Sequence, residues 1–271
     1  MLAFAALPQT VMLDQVGRPL RLAAVERIVP LMPDVTELAF ALGAGGRVVA
    51  VPPAADHPEA VARLPRVAPG DIESIVAARP DLVLASTAGS DPRLVERLAV
   101  LGFAVFTADV TSCERLAEAA RLVGRAVGNA EQGATLAGAI AGRCRAVDER
   151  AASLPERRAL YVVWWEPLIV AAPGTFHDDL LRRVRLVNLA PSSAGRYPRV
   201  DPELLLDPRL EVVAAADERD LRDGLARSRL AARVRTGGVR VHWLPAAPAS
   251  RPGPRLPEAL EALLAAREAD P

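Results

Sequence analysis

The chain contains no lysine, so all 33 of its basic residues are arginine, and 33 acidic residues balance them. A chain without net charge has no electrostatic reason to seek nucleic acid or an anionic membrane surface. No apolar run approaches the roughly 18 residues that a membrane-spanning helix needs. The composition therefore excludes a strongly basic nucleic-acid binder and an integral membrane protein built of helices.

Cysteines are also few, and motifs of known enzymes are missing. Cys113 and Cys144 each lack a second cysteine at metal-binding spacing, and whether they pair depends on the fold. The sequence has no G-x-S-x-G, P-loop or G-x-G-x-x-G motif. The run "GAGG" at 43–46 follows a predicted helix instead of preceding one, so it ends a helix and does not cradle a phosphate. We therefore expect a protein without catalytic activity.

What is present is a regular alternation of apolar strands and helices. A strand pair around a glycine turn is predicted at 11–22. The elements after it are strands at 27–31, 47–51, 81–86 and 103–108 and helices at 33–43, 71–80 and 91–102. Asp34 is predicted to cap the first helix, with Glu37 at capping-box spacing and Gly43 at its end. Near-continuous apolar strands that alternate with helices indicate a parallel sheet covered on both faces.

A long helical section interrupts this alternation. Helices are predicted at 112–128 and 129–154, and the second would be about 40 Å long at ~1.5 Å per residue, more than a crossover needs. The alternation then resumes, with strands at 158–165, 211–216 and 238–245 and helices at 175–186, 218–231 and 255–268. We predict an α/β fold with mostly parallel sheets in two lobes, 12–128 and 155–271, joined by one long helix, 129–154.

Several segments, in this order, resemble a known family. The segments "ERIVPLMPDVTELAFALGAGGRVVAV", "DHPEAVARLPRV" and "DIESIVAARPDLVLA" resemble the first lobe of the periplasmic binding proteins for vitamin B12 and iron-siderophores. The second lobe is similar to theirs in "VVWWEPLIVAAPGTFHDDLLRRVRLVNLA", "RYPRVDPELLLDPRLEVV" and "RPGPRLPEALEAL". The resemblance covers about residues 12–267 and is specific for the family, though not for a ligand.

The resemblance implies a solute receptor of an ABC importer. Such a protein, expected as a monomer, captures a corrinoid or a ferric chelate in the cleft between its lobes and delivers it to a permease without chemistry. A rigid helix between the lobes limits their closure. Each lobe of the family presents an acidic residue to the permease, and the matching positions here are Glu73 and Glu203. Read alone, each is a solvated glutamate near a helix N-terminus, where the helix dipole favours it.

The ligand site is expected where aromatic residues follow strands of the second lobe. Trp164 and Trp165 are neighbours on a strand, so one should lie in the core and the other at the cleft or its rim. Tyr197 lies on the loop where the B12 receptor has a ligand-contacting aromatic. We expect ligand contacts from Trp165, Glu166, His177, Tyr197, Arg196, Ser86 and Arg251. Arg196 and Arg199 flank Tyr197 and would pair with ligand carboxylates or phosphates.

Polar residues around His177 allow two interpretations. Thr175 is placed to cap the helix that begins there, and Asp178 and Asp179 lie in its first turn, where the helix field favours carboxylates. His177 itself would face the ligand or coordinate the metal of a haem or cobalt corrinoid. A direct metal site stays open as well, built from His57, His177, His242, Asp56, Asp178 and Glu166, although the His-rich loop of zinc and manganese receptors is missing.

The expected location follows the resemblance, which implies the periplasm or the cell surface. The start "MLAFAALPQT" is apolar but lacks basic residues and is too short for a signal peptide, so a leader would lie upstream or have been removed. The alternative is an intracellular carrier or sensor of a corrinoid, haem or metal on the same scaffold. An enzyme that uses the carboxylates of the cleft is a third, weaker interpretation.

Overall fold

The computed structural model describes residues 10–68, 70–192 and 195–270, so most of the apolar N-terminal stretch lies outside the described residues. The chain forms two compact units. The first contains the chain up to Val110 together with Glu114–Ile140, and the second contains Thr111–Cys113 and the chain from Ala141 onward. The division falls inside the long helix Ala130–Ala151, which is continuous.

The first unit begins with the predicted hairpin, whose strands β1 (Thr10–Leu13) and β2 (Pro19–Leu22) pair antiparallel. Asp14 stabilises its turn, because one carboxylate oxygen accepts hydrogen bonds from the backbone N–H groups of Val16 and Arg18. The other oxygen accepts from the N–H of Thr107 at 3.1 Å. One buried side chain thus both shapes the turn and anchors the hairpin to the unit.

The sheet of the first unit has the parallel strand order β3 (Ile28–Pro30), β4 (Leu82–Ser86) and β5 (Val105–Ala108). Three helices lie between these strands in the chain: α1 (Pro33–Ala41), α2 (Ile72–Ala77) and α3 (Pro92–Val100). Helix α4 (Cys113–Ala126) and the long helix α5 (Ala130–Ala151) follow. Strands and helices share a core that includes Val29, Val83 and Leu98, which explains why the strands are apolar on both faces.

Two local predictions in the first unit are wrong. Residues 47–51, all of them described, do not form a strand: a 3₁₀ turn, Gly45–Arg47, is followed only by isolated bridges from Val48 and Val51. Two prolines follow directly and lack the N–H that a ladder needs. Met32 occupies the N-cap position of helix α1 without a side-chain hydrogen bond, and Pro33 takes the first helical position, so Asp34 lies inside the first turn instead of at the cap.

The second unit contains a mixed sheet in the order β10 (Arg240–Leu244), β9 (Val212–Ala216), β6 (Arg157–Trp165) and β7 (Leu168–Val170), and β8 (Leu186–Asn188) also pairs with β6. Strands β8, β9 and β10 run parallel to their neighbours, whereas β7 is antiparallel to β6. Strands β7 and β8 were not predicted, because three residues carry too little periodicity to be recognised.

The helices of the second unit are α6 (Phe176–Arg183), α7 (Arg219–Arg227), α8 (Leu230–Arg235), α9 (Ala246–Ser250) and α10 (Leu256–Glu268). The single helix predicted at 218–231 is wrong. Ser228 adopts an extended backbone after α7, and its hydroxyl donates to the carbonyl of Leu225, so the helix ends there and a second one begins.

Cys113 and Cys144 form a disulfide within the second unit, which answers a question that the sequence left open. The N–H of Cys113 also donates to a carboxylate oxygen of Asp179 at 3.0 Å, so both the disulfide and this hydrogen bond hold the start of α4 in place. None of the helices in the described part of the chain is long and apolar enough to cross a membrane. The structure confirms the predicted α/β class with mostly parallel sheets.

Candidate functional site

The candidate site in the second unit begins at the end of strand β6, where two tryptophans point to opposite faces. Trp164 is 42% exposed and Trp165 is only 8% exposed. The prediction that one lies in the core and the other outside is confirmed, but the exposed residue is Trp164, whereas Trp165 was expected at the ligand. The side chain of Trp165 packs closely against Gly224 of helix α7, which has no side chain to obstruct it.

Both tryptophans nevertheless line a cavity of about 230 Å³. The Nε1 atom of Trp165 is buried there without a hydrogen-bond partner among the described residues, whereas Nε1 of Trp164 donates to the carbonyl of Glu166 at 3.0 Å. The rest of the lining comes from Glu166, Asp220, Leu221, Asp223 and Arg227. This cavity combines an aromatic wall with exposed charges of both signs.

A second, larger cavity of about 640 Å³ adjoins the same loop. Its lining joins the loop after β6 to the segment that contains Arg199, and consists of Trp165, Glu166, Pro167, Leu168, Arg199, Val200, Asp201 and Pro202. The structure therefore brings the predicted residues Trp165 and Glu166 close to the loop that was predicted to carry Tyr197 and Arg196.

Backbone pairing explains how that loop is held. Strand β7 and the residues just after it form hydrogen bonds with the segment 196–200: the N–H of Val170 donates to Pro198 at 3.2 Å, and the N–H of Ala172 donates to Arg196 at 2.9 Å. A third bond joins the N–H of Val200 to Leu168 at 2.9 Å. This pairing fixes the backbone on both sides of Tyr197, whose ring lies edge-on to His177 with centroids 5.7 Å apart.

His177 lies beneath this surface and not on it. Its ring is 5% exposed and packs on Tyr161 and Phe176, with centroid distances of 4.0 and 3.7 Å. Nε2 lies 3.0 Å from the carbonyl oxygen of Ala249, and Nδ1 lies 3.4 Å from the hydroxyl of Tyr197. Burial lowers the pKa of His177 to about 3. Because both ring nitrogens already face a polar partner, we interpret His177 as a support for Tyr197 and not as a metal ligand.

The carboxylates next to His177 have structural roles. Thr175 caps α6 as predicted, because its hydroxyl oxygen accepts from the N–H of Asp178. Asp178 accepts from the N–H of Gly174 and the side chain of Asn188. Asp179 forms ion pairs with Arg182 and Arg183 at 2.9 and 2.8 Å. The carboxylates therefore begin and anchor a helix, in line with the simpler of the two interpretations.

The remaining predicted ligand residues occupy three places. Arg196 is exposed beside Tyr197, and Arg251 is half-buried directly after α9. Ser86 belongs to the first unit, where it ends β4 and is buried, with its hydroxyl oxygen accepting from the N–H of Ala88. Ligand contact by each of these residues stays a prediction.

The two predicted docking residues occupy equivalent local positions. Glu73 follows the capping residue Asp71 by two positions in α2, and Glu203 follows the capping residue Asp201 by two positions in the 3₁₀ helix Pro202–Leu206. Both side chains are exposed. Each glutamate thus stands near a helical N-terminus with its charge in solvent, as its sequence context suggested, and permease docking stays a prediction.

The histidines do not form a metal site in the described residues, where no cluster of at least three metal-ligating side chains is found. His57 is exposed in a loop of the first unit. In the second unit, Nε2 of His242 lies 3.2 Å from a carboxylate oxygen of Asp270, whereas Nε2 of His177 faces the carbonyl oxygen of Ala249. The direct metal site that the sequence left open is therefore not assembled here.

Sequence reasoning missed several residues that line the cavities or support Tyr197. Asp220, Asp223 and Arg227 come from α7, and the carbonyl of Ala249 receives the His177 contact. A glycine inside a charged helical run, Gly224, was the one available signal, because such a glycine often marks close packing. The others depend on contacts between segments far apart in the chain.

Comparison with known proteins supports this picture of the fold. Residues 28–237 match the profile of a family described as Periplasmic binding protein. The Vitamin B12-binding protein of Vibrio cholerae serotype O1 is 30% identical over 195 residues, which is 71% of this chain and 71% of that protein. The protein of the same name from Yersinia pestis is 28% identical over 196 residues, covering 71% and 70% of the two chains.

Solved structures give the same result. The periplasmic vitamin B12 binding protein BtuF of Vibrio cholerae is similar with a TM-score of 0.80 and 28% identity, covering 90% of this chain and 97% of that one. The periplasmic heme-binding protein RhuT from Roseiflexus sp. RS-1, in apo form, is similar with a TM-score of 0.75 and 26% identity, covering 89% and 97%. These likenesses confirm the predicted architecture of a helical-backbone solute-binding protein.

Proposed function

Because this chain belongs to the periplasmic binding protein family, we propose that it is the solute-binding protein of an ABC importer. Its ligand is a corrinoid or a ferric chelate, which it binds and releases without chemical change. The likeness to proteins named for vitamin B12 and haem supports a large macrocyclic ligand.

The observation that carries the proposal is the aromatic surface of the second unit. Only 4% of the chain is aromatic, yet Trp164 is exposed and lines the smaller cavity, and Tyr197 is exposed two residues before Arg199, which lines the larger cavity. Flat apolar rings stack well on a planar macrocycle, and the neighbouring Arg196 and Arg251 suit its polar substituents.

The direct test is titration with cyanocobalamin, haemin and a ferric siderophore, followed by calorimetry and by tryptophan fluorescence. We expect one of them to bind and to quench emission from Trp164 and Trp165. The matched control is Trp243→Phe, which removes the tryptophan that contacts Arg222 and should leave the quenching intact. Absence of heat and of quenching with all three ligands would reject the proposal.

Delivery to a permease is the second part of the proposal, with Glu73 and Glu203 as the docking residues. Glu73→Ala and Glu203→Ala should leave ligand affinity unchanged and abolish transport by the reconstituted importer. Glu96→Ala and Glu149→Ala replace exposed glutamates elsewhere on the two units and serve as controls. Loss of ligand affinity in either docking variant would show that these residues have been misplaced.

Export to the periplasm or the cell surface is the third part. The Cys113–Cys144 disulfide supports it, because disulfides persist in oxidising compartments and are rare in the cytosol. The intracellular carrier or sensor would require the same cysteines to be reduced. Cell fractionation combined with alkylation of free thiols separates the two: blocked cysteines in the periplasmic fraction are expected, and free thiols in the cytosolic fraction would overturn export.

A further inference from the structure

The buried contacts of His177 determine which of its nitrogens carries hydrogen. The carbonyl oxygen of Ala249 lies 3.0 Å from Nε2 of His177 and also 3.0 Å from the hydroxyl of Tyr161. A carbonyl oxygen only accepts hydrogen bonds, so both groups must donate to it. Nε2 therefore carries the hydrogen, and in a neutral ring Nδ1 is left with a lone pair.

The hydroxyl of Tyr197 faces that lone pair. It lies 3.4 Å from Nδ1 of His177, and because Nδ1 only accepts, Tyr197 must donate its proton inward. Burial of His177 lowers its pKa to about 3, and the partial burial of Tyr197, which is 36% exposed, raises the pKa of Tyr197 to about 12, so this state persists. Neither group changes charge at ordinary pH, and transfer of the Tyr197 proton to His177 is strongly unfavourable.

We propose that His177 is a positioning residue that turns the Tyr197 proton inward, so that Tyr197 presents a hydrogen-bond acceptor to the ligand and selects ligands with N–H donors. This inference rests on the proposed function and narrows it. A corrinoid carries carboxamide groups around its ring, and their N–H groups suit an acceptor. Haem carries propionates, which at neutral pH are acceptors themselves.

The same geometry argues against coordination of haem iron by Tyr197. A phenolate ligand requires the phenol to lose its proton. His177 is a buried imidazole that resists a positive charge, so the proton would have to leave for solvent and the inward hydrogen bond to Nδ1 would be lost. The structure thus favours the corrinoid over haem at this surface. If ferric haem binds instead, its absorption spectrum should lack the phenolate-to-iron charge-transfer band.

The test compares cyanocobalamin affinity in four variants. Tyr197→Phe removes the hydroxyl, and His177→Phe removes its acceptor while keeping an aromatic ring against Tyr161 and Phe176. Each should weaken binding by about five- to tenfold, the usual effect of one hydrogen bond. The double variant should lose no more than either single one. His177→Asn, whose side-chain oxygen takes the place of Nδ1, should stay within about twofold of the unsubstituted protein.

A ligand-free measurement keeps this inference separable from the proposed function. Nitrogen-15 NMR of the His177 ring should show the neutral tautomer with hydrogen on Nε2, and Tyr197→Phe should shift the Nδ1 signal. Hydrogen on Nδ1 in a protein that binds cyanocobalamin would overturn the inference alone. Failure to bind any corrinoid would overturn the proposed ligand. A phenolate-to-iron band with haemin that Tyr197→Phe removes would overturn the proposal that Tyr197 selects ligands with N–H donors over haem.

Thermal unfolding of each variant controls for damage to the fold. A variant that binds weakly because it is partly unfolded would lose the wild-type melting transition, whereas the inference requires this transition to remain. Unchanged affinity in well-folded Tyr197→Phe would also overturn the inference, because the hydroxyl would then make no contact with the ligand.

Discussion

Gly124 of helix α4 and Gly133 of helix α5 lie directly against each other in the first unit. A Cβ atom on Gly124 would lie 2.8 Å from the Cα of Gly133, and one on Gly133 would lie 2.7 Å from the carbonyl oxygen of Ala120. Backbone atoms cannot move aside as the end of a flexible side chain can. The two helices therefore approach this closely only because both positions lack a side chain.

We expect Gly133→Ala to lower the free energy of unfolding by about 1–3 kcal/mol, the usual cost of overpacking. The control is Gly138→Ala on the same helix, where an added Cβ meets no described atom within 4 Å. Alanine there should stabilise the protein by about 0.5–1 kcal/mol through helix propensity. Urea unfolding measures both effects. If Gly133→Ala raised the free energy of unfolding as Gly138→Ala does, the close approach of α4 and α5 at Gly133 would be contradicted.

Asp34 supplies a pH-dependent prediction for the first unit. Neither of its carboxylate oxygens has a well-formed hydrogen bond among the described residues, and burial raises its pKa from 3.8 to about 6, although nearby Ser86 opposes the shift in part. Because the folded-state pKa lies above the unfolded value, the fold is penalised where Asp34 is charged. The penalty is absent below about pH 4, grows as pH rises to about 6, and is complete above it.

Asp34→Asn should therefore stabilise the protein above pH 6, by up to about 3 kcal/mol for a shift of this size, and the gain should vanish near pH 4. Asp71→Asn is an informative control because the hydrogen bond from the Ser74 hydroxyl lowers the pKa of Asp71. Loss of the Asp71 carboxylate should lower the free energy of unfolding at neutral pH, and should lower it less at low pH, where the carboxylate is protonated. Urea unfolding from pH 4 to 8 measures both trends. If Asp34→Asn gained the same stability at every pH, the gain would not arise from a buried charge on Asp34.

The sequence predicted best what neighbouring residues determine together. Thr175 was recognised as a helix cap because its signal lies within four residues, and the hairpin around Gly17 was recognised by its turn. The faces of Trp164 and Trp165 show the limit. Strand alternation predicts that the two differ, but which one is buried depends on Gly224, far along the chain. The support of Tyr197 by His177 likewise depends on a backbone carbonyl, which has no sequence signature.

The Cys113–Cys144 disulfide leads to a third prediction. The two cysteines are 31 residues apart, so the bond restricts the unfolded chain by an amount worth about 3–4 kcal/mol. The double variant Cys113→Ser, Cys144→Ser should lose that much unfolding free energy in urea. Treating the unsubstituted protein with a phosphine reductant should give the same loss and leave the double variant unchanged. Equal stability with and without reductant would mean that the bond does not form.

The contact between Trp165 and Gly224 leads to the last prediction. A Cβ on Gly224 would lie 2.7 Å from the Cβ of Trp165, close to the point where the side chain leaves the backbone, so rotation of the indole cannot relieve the clash. Gly224→Ala should lower the unfolding free energy by about 1–3 kcal/mol and shift the Trp165 emission to the red as the ring becomes exposed. The same displacement would distort the two cavities that Trp165 lines, so ligand affinity should fall as well.

The control for this variant is Gly142→Ala in α5, where an added Cβ meets no described atom within 4 Å. It should raise stability slightly and leave both emission and affinity unchanged. If Gly224→Ala instead keeps the wild-type emission while it loses affinity, Trp165 would not have moved. The loss would then arise from α7 itself, whose Asp220, Asp223 and Arg227 line the smaller cavity.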